Sequence, residues 1–282
     1  MLMPKLGAEI GFQTKDIPAR KGWIIETHNL GSGDQYMARR EDAQESTLLE
    51  SHSFEEWDRE LNFKLSALAF KALRQSPGGR MTMLDVGGGV DSRMLRTMLA
   101  KPAFAGKVHG INVDLFARDL DAAELSDQGL MAENLQVING DIADCELPGD
   151  SVDLVTSMGV LDALPPDRQL AMLAQIARVL KPGGEATIDA YWLLRHQDLF
   201  RPWFTHPDLS DGSILQPIAD QNGVVFSGSW RETSLDGRTH IFGCGHPLLT
   251  MMKVYAGDEY VPVDRGFREE DVQNVRQLYG LK

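Results

Sequence analysis

The chain has 282 residues, with 43% hydrophobic and 24% charged content and a formal net charge of -13 at pH 7. That length suits one large domain with its own core. The acid excess, without a basic stripe anywhere, argues against nucleic acid or any partner held through a phosphate backbone. No run approaches the length of a membrane span. The two cysteines, Cys145 and Cys244, form no Cys-x-x-Cys pattern, so neither a structural zinc nor a disulfide framework is expected. With no apolar leader at the N-terminus, a cytoplasmic protein with a small-molecule partner is the expectation.

Residues 1–52 show weak periodicity, with Gly7, Gly11, Gly22, Gly31 and Gly33 among polar residues. Trp23 to Ile25 and Tyr36-Met37 suggest segments that dock, so this stretch is expected to be an ordered N-terminal extension or a lid. From Ser53 to Glu56 the chain has the Ser-x-x-Glu form of a capping box. Phe54, Trp57, Leu61, Leu65 and Leu68 then recur at helical spacing, and Pro77 to Gly79 ends the helix.

Apolar Met83, Leu84 and Val86 suit a short strand covered on both faces, with the acidic Asp85 at its end. Gly87, Gly88 and Gly89 follow, where the backbone must turn and admit a ligand. Asp91 and Ser92 are candidate caps for the helix carrying Met94, Leu95, Met98 and Leu99. The alternation then continues. Lys107–Val113 is expected as a strand ending at Asp114, Ala117–Leu125 as a helix, Leu135–Gly140 as a strand followed by Asp141, and Val152–Val155 as a strand ending at Thr156 to Met158. Pro165-Pro166 opens a helix with a stripe of Leu170, Leu173, Ile176 and Leu180, and Lys181 to Gly184 stops it before a strand at Glu185–Trp192. Regular alternation of this kind predicts an α/β, doubly wound, mostly parallel sheet with helices on both faces. Beyond it, a helix over Ser213–Asp220, a hairpin of Val224–Thr233 with Arg238–Phe242 about Asp236-Gly237, and a strand at Leu248–Ala256 suggest an antiparallel C-terminal edge.

Open parallel sheets bind ligands outside the carboxyl ends of their strands. Those ends present Asp85, Asp114 and Asp141, with Asp91 at the helix start, a poor site for pyrophosphate. The same acids suit a ligand with a cationic amine, a ribose diol and an adenine amino group. The dinucleotide fingerprint fails too, because Ser92 stands where Gly or Ala is required, and no Gly-Lys-Ser/Thr follows the turn.

From Ser53 to Trp192 the chain resembles the class I S-adenosylmethionine-dependent methyltransferases, in five segments in order. Leu84 to Gly89 looks like the first motif, Asn112 to Asp114 the acid after the second strand, and Gly140 to Ile142 the adenine-contacting segment. Ser151 to Ser157 resembles the fourth strand, and Ala177 to Gly184 the turn before the fifth. The last is most like the small-molecule group of ubiquinone and menaquinone biosynthesis methyltransferases.

The resemblance implies a seven-stranded Rossmann-like methyltransferase domain over 53–282, with a substrate-side insertion at 191–223. It implies S-adenosylmethionine as cofactor. Asp85 with Gly87, Gly88 and Gly89 would hold the methionine amino end, and Asn112 or Asp114 the ribose. Asp141 would take the adenine amino group with Ile142 against the ring, while Ser157 and Met158 would lie near the sulfonium. Asp91 replaces the usual third glycine and is expected as a helix cap. Asp162, where many relatives carry a histidine, is expected as a solvated loop residue.

Methyl transfer from a sulfonium needs a base only where the acceptor must lose a proton. His196 is the candidate, ahead of His206, in a stretch with Tyr191, Trp192, Phe200, Trp203 and Phe204 that could wall an apolar or aromatic acceptor. The remaining histidines lack metal-ligand spacing, so no metal is expected. Two other readings stand beside the methyltransferase: a catalytically silent S-adenosylmethionine-binding partner or sensor, and an NAD-dependent oxidoreductase.

Overall fold

The computed structural model describes residues 23–29, 34–40, 46–51, 55–120, 122–127, 130–161, 166–189, 215–229, 248–263 and 266–280, together with Lys21 and Leu164. Near the N-terminus, β1 (Trp23–Asn29), β2 (Asp34–Arg40) and β3 (Ser46–Ser51) form an antiparallel sheet. The sequence, with its weak periodicity, gave no strands here. β1 and β2 pair from Trp23↔Arg40 to Asn29↔Asp34.

The main sheet, among the described residues, has seven strands. They are β4 (Met81–Val86), β5 (Val108–Asp114), β6 (Leu135–Asn139), β7 (Val152–Ser157), β8 (Leu180–Asp189), β9 (Val224–Ser229) and β10 (Leu248–Lys253). Their order is β6-β5-β4-β7-β8-β10-β9, parallel from β6 to β8. β10 runs antiparallel to both neighbours. The doubly wound parallel sheet and its antiparallel finish are therefore as expected. The strand paired with β9 is β10, however, whereas Arg238–Phe242, expected to fill that place, lies outside the described residues. A small hairpin, β11 (Tyr255–Ala256) with β12 (Glu259–Tyr260), follows.

Both faces of the sheet are covered, which is why its strands are nearly continuous apolar runs. Met81 and Met83 of β4 share a core with Leu65 and Leu68 of helix α1 (Glu55–Gln75) and with Leu95 and Met98 of α2 (Arg93–Leu99). Leu84 and Val86, pointing the other way, pack with Val155 and with Met172, Leu173 and Ile176 of α4 (Pro166–Val179). The shorter helices are α3 (Ala122–Asp127) and α5 (Gln216–Asn222).

Helix α6 (Glu269–Tyr279), which the sequence reading did not anticipate, docks on α1. Tyr279 meets Phe63 edge-on at 4.4 Å and hydrogen-bonds the Ser66 hydroxyl at 2.9 Å, while Arg74 pairs with buried Asp271 at 2.8 Å.

Three boundaries differ from the sequence reading. α3 begins at Ala122, not Ala117, because the Arg118 amide donates to the Val90 carbonyl and holds that segment extended against the glycine turn. β8 begins at Leu180, and a register shift opposite Val152/Leu154, with Gly183 at φ +83, absorbs the Pro-Gly-Gly turn. α5 starts three residues later than expected.

Candidate active site at the ends of the central strands

The strand order reverses about β4, whose neighbours are β5 on one side and β7 on the other. A crevice outside the carboxyl ends of such strands is where an open α/β sheet takes its ligand. Gly87 and Gly89 adopt φ of +76 and +79, conformations that strain any residue with a Cβ. A Cβ on Gly87 would come within 1.9 Å of a Val160 methyl.

The hydrogen bonding of this turn decides what kind of ligand it can take. The Gly87 amide donates to the Val113 carbonyl at 2.8 Å, the Gly88 amide to Asn112 Oδ1 at 3.1 Å, and the Gly89 amide to Asp114 Oδ2 at 3.1 Å. All three donors are thus consumed by the end of β5, whereas a phosphate cradle needs them free. The group left over is an acceptor. Asp85, 3% exposed, accepts the Thr156 hydroxyl on Oδ1 at 2.8 Å, while its buried Oδ2 has no partner. Burial, more than the neighbouring Asp114 charge, pushes its carboxyl up to about 6, against the lowering effect of Thr156.

The other expected site residues sit around this point. Asn112 is fully buried; besides accepting from Gly88, its amide donates to the Gly89 carbonyl at 3.2 Å and to the Ser92 hydroxyl at 2.7 Å. Asp114 is half-buried and is also fixed by the Phe116 amide at 2.7 Å. Asp141 caps the short 3-10 turn Ile142–Asp144 through the Ala143 amide and meets Arg168 of α4 at 2.6 Å. Ile142 is buried in the core beneath α4. Ser157 is fully buried with an unpartnered hydroxyl, and Met158 is half-buried beside it.

Residues 83–184 match the family model described as a methyltransferase domain. Residues 83–184 carry a methyltransferase domain. No curated protein matches it. Among solved structures, the 1,6-didemethyltoxoflavin-N1-methyltransferase of Burkholderia thailandensis, with 1,6-didemethyltoxoflavin and S-adenosylhomocysteine bound, is similar at 16% identity. That alignment covers 81% of this chain and 99% of that one, with a TM-score of 0.41. A TehB-like methyltransferase of Corynebacterium glutamicum is similar at 19% identity, over 72% and 98% of the two chains, with a TM-score of 0.39. The domain match and the site chemistry carry the assignment, not these distant superpositions.

S-adenosylmethionine bears an ammonium group, and the site offers it an orphaned buried carboxylate oxygen beside three glycine amides that are already engaged. The residues present fit this cofactor.

One expectation for the methyltransferase needs correction. Asp91 caps nothing: Ser92 is the cap residue of α2, in a left-handed conformation and without a side-chain cap bond. Asp91 is instead buried between Arg118, which it meets in a close ion pair, and Arg96 at 3.8 Å; Arg118 also grips Glu124 of α3 at 2.6 Å. Sequence reasoning missed Arg118 and Arg168 because each meets its acid across 27 positions of chain. His196, His206, Asp162 and the aromatic cluster from Tyr191 to Phe204 lie outside the described residues. Among the described residues no group of His, Cys, Asp and Glu could hold a metal, and no helix is long and apolar enough to cross a membrane.

Replacing Gly87 by Ala should cost about 2–3 kcal/mol of stability, from the strained φ and the overlap with Val160 together. Adding Val160→Ala removes the overlap but not the strain, so urea midpoints should show partial recovery. An equal loss in the double variant would mean the overlap is not felt.

Proposed function

We propose that this methyltransferase binds S-adenosylmethionine in the crevice above β4, β5 and β7 and transfers its methyl group to a small-molecule acceptor. The observation that carries the reading is the pairing of opposites at the turn. Every glycine amide is spent, and one buried carboxylate oxygen is unspent. Such a site rejects a pyrophosphate, and hence NAD, and receives an ammonium.

In this reading Asp85 Oδ2 accepts from the methionine ammonium. Asp114 meets the ribose hydroxyls with its half-exposed carboxylate, which also braces Gly89. Asn112 acts as a brace of the turn, because both its amide protons and its carbonyl oxygen are already engaged there. Asp141 receives the adenine amino group and is steadied for it by Arg168. Ser157 and Met158 border the acceptor side.

Bound here, S-adenosylmethionine supplies an already activated methyl group. The chain's contribution is alignment and exclusion of water, and alignment alone is worth effective molarities of roughly 10⁵ M or more. The net charge of -13 agrees with an acceptor that is not a polyanion.

Thermal unfolding with S-adenosylmethionine, S-adenosylhomocysteine or NAD tests the ligand, since a ligand that binds only the folded chain raises the midpoint. The first two should raise it and NAD should not. Stabilisation by NAD alone would overturn the reading. Transfer of labelled methyl to small phenols, quinols and amines, and not to RNA or protein, tests the acceptor class.

Arg168→Gln should weaken S-adenosylhomocysteine binding by about three- to tenfold, the order of one partly exposed charge-assisted hydrogen bond. Calorimetric titration reads it. An unchanged affinity would separate Asp141 from the adenine.

A further inference from the structure

In the parallel pairing of β4 with β7, Asp85 lies directly opposite Thr156, so the two side chains leave the sheet side by side on one face. Thr156 is fully buried, and its hydroxyl donates to Asp85 Oδ1 at 2.8 Å. A β-branched side chain on a strand has restricted χ1, so the strand itself aims this hydroxyl. With Oδ1 pinned, the plane of the carboxylate is set and Oδ2 is turned over the turn, where a Cβ on Gly88 would come within 2.6 Å of it. Asn112 Oδ1 borders the same space, 2.5 Å from that Cβ position.

We infer that Thr156 is a positioning residue for the methyl donor: it orients Asp85 and holds it ionised, so that Oδ2 is presented to the donor's ammonium. The inference rests on the donor reading above.

The remaining surroundings all work against ionisation. Burial opposes it, and the charged group facing Asp85 from β5 is Asp114, also negative. Among the described side chains of the helices that cover this face, Lys71 of α1 is paired with Glu185 at 2.6 Å and Arg96 of α2 lies beside Asp91, and no cation contributes to the Asp85 shift. The Thr156 hydroxyl therefore carries the task. Without it the carboxyl keeps its proton to a higher pH, and a protonated Asp85 no longer attracts an ammonium.

The test is S-adenosylhomocysteine binding by calorimetry from pH 5 to pH 8, on the full chain and on Thr156→Val and Thr156→Ser, with the Asp85 carboxyl titrated by NMR in the ligand-free proteins. The unsubstituted chain should lose affinity as pH falls through about 6. Thr156→Val should move that fall upward by about one pH unit, binding about fivefold more weakly at pH 6 and nearly normally at pH 8. Thr156→Ser keeps the hydroxyl and should follow the parent curve. A Thr156→Val curve that overlays the parent, or that is lowered equally at every pH, would overturn the inference, as would an Asp85 titration indifferent to the substitution. No binding by the parent chain at any pH would sink the donor reading instead, and the NMR titration would still decide whether Thr156 holds Asp85 ionised.

Discussion

Asp85→Asn is expected to cost on the order of 100-fold in affinity for S-adenosylmethionine while making the ligand-free chain more stable at pH 7.5. The two effects share one cause. The carboxyl is raised from 3.8 to about 6 by burial, so the folded chain holds that proton more tightly than the unfolded chain does. As pH rises from about 4 to 6, the unfolded state gives up its proton first, and stability falls through that window. Above pH 6 the deficit is constant, at about 3 kcal/mol for a shift of this size.

An amide of the same shape carries no such deficit and can still accept the Thr156 hydroxyl. Urea unfolding at pH 7.5 should therefore show Asp85→Asn more stable by about 1–3 kcal/mol, with the gain shrinking towards pH 4. A variant that binds normally, or that is less stable at both pH values, would contradict this. The site keeps a charge that the empty fold is better off without.

Arg118→Met should act in the opposite direction, with a loss of about 3–5 kcal/mol in stability, because it leaves Asp91 buried without its closest partner. Arg96, at 3.8 Å and already disfavoured as a cation by burial, replaces it poorly. The Arg118 amide also holds the Val90 carbonyl, and its side chain ties the turn to α3 through Glu124. Affinity for the methyl donor should therefore fall along with the unfolding midpoint. Adding Asp91→Asn to Arg118→Met should restore part of the stability by removing the stranded charge. Failure to restore any would show that packing of the Arg118 stem, not the ion pair, accounts for the loss.

What was legible in the sequence follows from which interactions are local. β4, β5 and β7 are buried on both faces, so each is mostly apolar, broken near its start by Thr82, His109 or Asp153 and turning polar towards its carboxyl end. Asp85, Asp114 and the glycines could be placed from that alone. The N-terminal strands were not legible, because Trp23 to Asn29 and Ser46 to Ser51 lack the strict alternation that marks a half-buried strand. The place of β10 between β8 and β9 depends on pairing across distant segments, and no turn dipeptide records it.

Asp91 shows a third kind of limit. An acid just before a helix has the composition of a cap, yet an arginine 27 residues later draws it into a buried ion pair and leaves the cap position to Ser92. Asn112 shows a fourth. The sequence leaves open whether Asn112 or Asp114 meets the ribose, and the three hydrogen bonds that tie Asn112 to the turn, 20 or more residues away in the chain, leave no local trace.

The most direct measurement is a crystal structure of the full chain with S-adenosylhomocysteine. The amino group should lie within hydrogen-bond distance of Asp85 Oδ2, with the ribose hydroxyls on Asp114 and the adenine amino group on Asp141. A ligand whose carboxylate or ribose occupied the space over Gly88, with Asp85 Oδ2 still unpartnered, would contradict the reading of this turn as an ammonium site.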